Sequence, residues 1–248
     1  MKALLRWLLL LVLALLGLQL FFVVRIAALA VLDPASTSFQ RSEALRIQQE
    51  TGHLRWRQQW VPYRDIADTL KRAVIASEDD GFTQHDGVEW DAIQKAWQKN
   101  AKAEAKAQAQ RPGTARPNAP AAARPPKIVG GSTITQQLAK NLLLSGERTL
   151  LRKGQEFVLT ALLELCLSKQ RILEIYLNSV EWGEGVFGAE AAAQHYFRKP
   201  AARLSAGEAA RLAVMLPRPK YFEKLPNSPY LSARAATIQA RMGSAQLP

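Results

Sequence analysis

The chain opens on one unbroken apolar block. Lys2 and Arg6 flank its start, and no charge falls between Trp7 and Val24. At 1.5 Å per helical residue the block spans roughly 27 Å, close to the hydrocarbon core of a bilayer. It predicts one transmembrane helix, with residues 1–32 as a membrane anchor. Lys2 and Arg6 favour a cytoplasmic N-terminus, an asymmetry that Arg25 weakens. "AALA" before Val31 also reads as a cleavage site, so a cleaved signal peptide is the alternative. The apolar block is longer than a usual signal h-region.

Beyond the anchor the apolar positions recur with helical spacing, and few segments alternate with period two, so a mainly α fold is predicted. Residues 33–60 are polar and mixed, read as a juxtamembrane connector. Trp56 and Trp60, four apart, are either a membrane-interface pair or core. In "VPYRDIADTLKRAVIASEDDGF" a helix starts after Pro62, carries Ile66, Leu70, Ala73, Val74 and Ser77 on one face, and stops near Gly81. Residues 99–127 are rich in Ala, Pro, Lys, Arg and Gln, with almost no large apolar residue. That composition predicts a flexible basic insert. Order resumes at "GGSTITQQLAKNLLL", where Gly-Gly makes a turn and Ser132 or Thr133 caps a helix. "TLLRKGQEFVLTALLELCLSKQRILEIYLNSV" is apolar nearly all round, a buried helix or a broken pair. "LSAGEAARLAVMLPRP" carries a capping box, Ser205 with Glu208, and a helix ended by Pro217. The globular domain is placed at residues 61–230, with 231–248 as a C-terminal tail.

Composition narrows the function. With 248 residues and 48% hydrophobic content, the chain has enough apolar material for a real core. Its net charge of +12 points to an anionic partner: nucleic acid, acidic phospholipid or a phosphorylated substrate. No RNP-like, zinc-finger or basic-zipper pattern occurs, so nucleic acid is not expected. Cys166 is the single cysteine, which excludes an internal disulfide and a cysteine zinc site; it is expected as a small buried core residue.

Three constellations could carry chemistry. In "IASEDDGFTQHDG" the acids Glu78, Asp79 and Asp80 crowd a helix C-terminus, where the helix dipole disfavours them. A solvated turn does not account for that crowding. A metal site with His85 has poor ligand spacing. Acid–base chemistry does account for it, because neighbouring negative charge raises a carboxyl's pKa and makes it a stronger base. On the next helix Thr133, Gln137 and Lys140 lie at i, i+4 and i+7. They offer a hydroxyl, an amide and an ammonium to sugar hydroxyls and a phosphate, unless that face is simply solvated. In "ERTLLRKGQEF", Arg148, Arg152 and Lys153 precede Glu156. The alternatives there are a surface salt bridge and a half-buried carboxylate facing a phosphate-bearing substrate.

Taken in order, "EDDGFTQHDG", "GGSTITQQLAKN", "RKGQE" and "KQRILEIYLNSVEWGEGVFGAEAAAQHYF" resemble the glycosyltransferase domain of peptidoglycan polymerases, over roughly residues 60 to 225. The resemblance implies a mainly α, bilobed, lysozyme-like fold with a membrane-facing small lobe. It implies polymerisation of lipid II, an undecaprenyl-pyrophosphoryl disaccharide-pentapeptide, into glycan strands, with inversion and release of undecaprenyl pyrophosphate. Glu78 matches the base that deprotonates the acceptor 4-hydroxyl, and Glu156 a second acid at the donor side. Lys140, Arg152 and Lys153 match pyrophosphate ligands. Arg148 belongs to the same cationic group. Asp79, Phe82, His85, Ser132, Thr133, Gln137 and Asn141 match other cleft positions. No metal ligand set or required cofactor is implied, although family members respond to magnesium or manganese.

Implied partners are lipid II, the nascent strand, membrane lipid and proteins of wall synthesis or division. The implied location is a bacterial inner membrane, single-pass, with a periplasmic catalytic domain. Glu89 and Val88 depart from the family's usual Asp and Phe, and the 99–127 insert lengthens the link between the first two motifs. No S-x-x-K or K-T-G occurs, so a monofunctional enzyme without transpeptidase activity is expected. A lysozyme-like lytic glycosidase and a non-catalytic wall-binding protein are the rival readings.

Overall fold

A computed structural model describes residues 2–91, 94, 98, 101–103, 131–144 and 149–248. The basic insert at 99–127 lies almost wholly outside the described residues, and Arg148 lies outside them. The first helix, α1 (Lys2–Ala28), is the one described helix long and apolar enough to cross a membrane. Its outer turns are exposed, while Ile26 and Leu29 at its end enter the protein core. Gln19 donates to Gln155 at 3.1 Å. Arg171 gathers the end of the helix through Leu29 O, Leu32 O and Asp33 Oδ1 at 2.8–2.9 Å.

The remaining fold is mainly α, as the apolar spacing predicts. Helix α2 (Ser38–Thr51) starts at a Thr37 capping box with Gln40. After β1 (Arg57–Gln58) and a short 3-10 turn at Tyr63–Asp65 comes α3 (Asp68–Glu78). Helix α4 (Ile134–Leu143) follows in the described chain. The long apolar stretch is a broken pair, α5 (Leu150–Cys166) and α6 (Lys169–Ser179), because Ser168 caps a new helix by accepting from Arg171 N–H. Then come β2 (Glu181–Gly183), β3 (Val186–Phe187), α7 (Ala189–Phe197) and α8 (Ala206–Met215), the last opened by the Ser205–Glu208 capping box. Two helices close the chain, α9 (Pro219–Glu223) and α10 (Pro229–Arg241).

One core joins these elements. Helix α8 packs on α3 and α10, α4 on α5 and α6, and α2 on α4. The residues read as a connector therefore contribute packed elements: α2 lies on α4, and β1 pairs in parallel with β3. The residues read as a tail include all of α10 after its first two residues, and that helix packs on α8. Strand β2 pairs antiparallel with β3, giving the order β1-β3-β2. Trp56 lies 5.0 Å from Phe187 and Trp60 packs on the core, so this pair is structural. Cys166 is half-buried rather than fully buried, packing against the core from the last residue of α5.

Candidate active site

Glu78 is the last residue of α3, and its carboxylate lines a cavity of about 630 Å³. Gln137 Nε2 donates to Glu78 Oε2 at 3.0 Å, and Tyr176 O–H donates to Gln137 Oε1 at 3.0 Å. The tyrosine thus fixes which end of the amide faces the carboxylate. Burial pushes the Glu78 carboxyl above its ordinary value. The Gln137 and Ser77 hydrogen bonds pull it back, and Asp79 adds to the rise. Burial also pushes the Tyr176 phenol well up, which keeps it a neutral donor.

Asp79 holds the loop that follows. Its Oδ2 accepts from Ile134 N–H at 2.9 Å, at the N-terminus of α4, where the helix dipole favours an anion. Its Oδ1 meets His85 Nε2 at 2.8 Å. Gly87 N–H donates to His85 Nδ1 at 3.1 Å, which leaves Nε2 to face Asp79. Phe82, matched to the cleft in sequence, is fully buried in the core with Lys169 Nζ 4.7 Å from its ring centroid. Phe82 and His85 therefore shape the loop beneath the site rather than its surface. Asp80 is exposed and pairs with Arg241 at 3.0 Å.

Asp79, His85 and Glu89 bring three ligand-type atoms within 4.8 Å of one another. The bonds just described occupy both ring nitrogens of His85 and both oxygens of Asp79. A cation bound through His85 would have to displace one of its two bonds, whereas each Asp79 oxygen keeps a second lone pair.

Gly87 is constrained twice. Its φ is +83°, and an added Cβ would lie 2.7 Å from Thr160 Cγ2 and 2.8 Å from Glu164 Cγ. Its carbonyl accepts from Thr133 Oγ1 at 2.6 Å. Gly87→Ala is expected to cost about 1–3 kcal/mol in a denaturant melt, from left-handed backbone strain plus overpacking.

Helices α4 and α5 build the cationic side. Thr133 is the buried N-cap of α4, in a capping box with Gln136, so its hydroxyl faces inward rather than along the Gln137–Lys140 face. Ser132, Gln136, Gln137, Lys140, Thr149, Arg152, Lys153 and Glu156 line a cavity of about 460 Å³. Glu156 is buried and paired with Arg152 at 3.2 Å and with Lys153. Of the two alternatives open in sequence, the buried carboxylate is the one found, with the Arg152–Glu156 pair anchored on it. Two donors here, Arg152 Nε and Gln136 Nε2, are buried without a hydrogen-bond partner among the described residues. The larger cavity shares Ser132, Gln137, Lys140 and Arg152 with this one and adds Asn141, so the two form one cleft.

Sequence reasoning missed several walls of that cleft: Phe39, Ser42 and Glu43 from α2, then Glu181, Leu216, Pro217 and Pro219. Nothing local marks the α2 residues, because only packing on α4 brings them there. Glu181 carried a usable signal, a carboxylate between the apolar Val180 and Trp182. Thr133-x-x-Gln136 was a legible capping box that would have reassigned Thr133.

The transglycosylase family matches residues 46–111 and 117–243. The chain is 53% identical over 230 residues to the biosynthetic peptidoglycan transglycosylase of Burkholderia thailandensis, covering 93% of this chain and 82% of that protein. The Bordetella pertussis protein of that name is 53% identical over 216 residues, covering 87% and 82% respectively. That of Herminiimonas arsenicoxydans is 48% identical over 250 residues, covering 100% and 99%. With the mainly α, lysozyme-like architecture and the shared cleft, these matches identify the chain as a member of the transglycosylase family.

Proposed function

We propose that the cleft polymerises lipid II into glycan strands, with Glu78 as the base. The observation that supports this most is the continuity of the cleft: a carboxylate raised by burial and a cationic pocket with two orphan donors share Ser132, Gln137, Lys140 and Arg152.

Glu78 takes the proton from the acceptor sugar's 4-hydroxyl as that oxygen forms a bond to C1 of the donor. The C1–oxygen bond to pyrophosphate breaks on the opposite face, inverting the centre, and undecaprenyl pyrophosphate leaves. Pyrophosphate departs readily once its charge is met, so the site needs cations rather than a proton donor at the leaving group. Lys140, Arg152 and Lys153 supply that charge. Arg152 Nε and Gln136 Nε2 gain the acceptor they lack. Glu156 orients Arg152 and Lys153 at the donor side. Ser132 and Asn141 meet the sugars. Asp79 and His85 keep Glu78 and the start of α4 in register.

Helix α1 anchors the domain, with its N-terminus cytoplasmic and the cleft periplasmic. Leu151, Val158 and Leu165 form an exposed apolar stripe on α5, the helix that α1 packs against, and this face meets lipid. Proteins of wall synthesis or division are the partners this placement suits.

The test is incubation of the full chain with lipid II in detergent. Polymer with released undecaprenyl pyrophosphate is the expected product. Muropeptides cut from finished sacculi, without pyrophosphate release, would favour a lytic glycosidase. A second expectation concerns pH. The Gln137 N–H bond favours ionised Glu78, so removing it raises the Glu78 pKa further. Gln137→Ala is expected to move the acid limb of the pH–rate profile to higher pH; an unmoved limb would count against the Gln137–Glu78 link.

A further inference from the structure

The cleft has an acidic end that this chemistry does not use. Glu181 opens β2 and is only 6% exposed, between Val180 and Trp182 of the core. It lines the same cavity as Glu78, Gln137, Lys140 and Arg152. Its Oε1 has no hydrogen-bond partner among the described residues. The nearest cation, Lys220 Nζ on α9, stands 3.6 Å away, beyond hydrogen-bond range.

The positive charge in this corner is already engaged. Lys220 contacts Glu43 directly, and Arg46 binds Glu43 at 2.9 Å, Glu50 at 2.5 Å and Glu184 at 3.0 Å. A buried carboxylate oxygen with an ion pair at 3.6 Å but no hydrogen-bond donor is costly to keep. Burial pushes the Glu181 carboxyl up to about 7, against the pull of Lys220. A group left incomplete on a cavity wall is completed when a ligand brings the missing donor.

We infer that Glu181 is a substrate-positioning residue whose free carboxylate oxygen accepts a hydrogen bond from an O–H or N–H group of the lipid II head group. The inference rests on the reading that this cleft polymerises lipid II. Charge fixes which part of the substrate lies here. Glu43 and Glu181 repel pyrophosphate, which the Lys140–Arg152–Lys153 end attracts, so the uncharged or cationic donors of the head group belong at the acidic end. Two parts of the head group carry such donors: the sugars, through hydroxyls and N-acetyl N–H groups, and the stem peptide, through its amines and amides.

The experiment uses the full chain in detergent with lipid II and with a lipid-linked disaccharide lacking the peptide. Glu181→Ala is expected to raise KM for lipid II about tenfold, the size of one hydrogen bond to a charged group, with kcat within about twofold. Glu181→Gln retains an accepting oxygen in the same place and is expected to hold KM within about threefold of wild type. Neither variant should melt below wild type at pH 8, because each removes a carboxylate whose charged form is buried on folding at a cost.

If the KM effect persists with the peptide-free substrate, the sugars supply the donor; if it disappears there, the stem peptide does. An unchanged KM for Glu181→Ala with both substrates would overturn the inference. So would a lowered melting temperature with kcat and KM changing together, which marks a structural role. A wild type that makes no polymer would sink the polymerase reading and this inference with it. An active wild type beside an unaffected Glu181→Ala sinks the inference alone.

Discussion

Glu78→Gln is expected to reduce lipid II polymerisation by at least about 10³-fold, within the range for loss of a positioned general base. Glutamine keeps the shape and can still meet Gln137, but it cannot accept a proton. Lipid II binding should largely survive, because the cations that hold pyrophosphate lie on α4 and α5. Stability should move the other way from activity.

The folded-state pKa of Glu78 lies above its unfolded value, chiefly through burial. The folded protein therefore holds this proton more tightly than the unfolded chain does. Below the unfolded pKa the group costs nothing. As pH rises towards the folded pKa, stability is lost, and above it the loss is complete. At neutral pH, Glu78→Gln should accordingly melt at or above the wild-type temperature. An inactive variant that also melts early would point to misfolding rather than to a missing base.

Arg152→Ala is expected to lower kcat/KM by about 10²–10³-fold, the size of losing one preorganised donor to developing negative charge. Two consequences of the geometry add together. The pyrophosphate loses a guanidinium whose Nε already waits without a partner. Glu156, buried between Arg152 and Lys153, is left with a single cation. Removing one partner from a buried ion pair is strongly destabilising, so a lower melting temperature should accompany the loss. Arg152→Lys keeps the charge but not the planar fork, and should recover stability more fully than rate. Steady-state kinetics beside thermal melts separate the two effects.

Much of this fold was legible along the chain because the signals are local. Apolar spacing found α3, and Ser205 with Glu208 marked the start of α8. The uncharged block from Trp7 to Val24 marked α1. The carboxylate proposed as the base, Glu78, was legible for an electrostatic reason, since three acids at a helix end need an explanation. What escaped depends on contacts between distant segments. The inward turn of Phe82 follows from where the Asp79–His85 and Asp79–Ile134 bonds fold the loop. The α2 wall exists because Gln40 donates to Ser179 O at 3.1 Å and Ser38 Oγ donates to Leu142 O at 3.2 Å. Glu181 reaches the cleft only because β2 pairs with β3 beside α9. The break between α5 and α6 was one of two alternatives in sequence, and the Ser168 cap, which would have chosen between them, lay within a continuous apolar stretch.

The central claim is that a half-buried, proton-hungry carboxylate, Glu78, drives glycan polymerisation. Its most direct test is the pH dependence of undecaprenyl pyrophosphate release by the full chain at saturating lipid II. The rate should fall on the acid side through an ionisation above the ordinary carboxylate value of 4.5, in the direction burial moves Glu78. A rate that holds constant down to that ordinary value would contradict the assignment of Glu78 as the base.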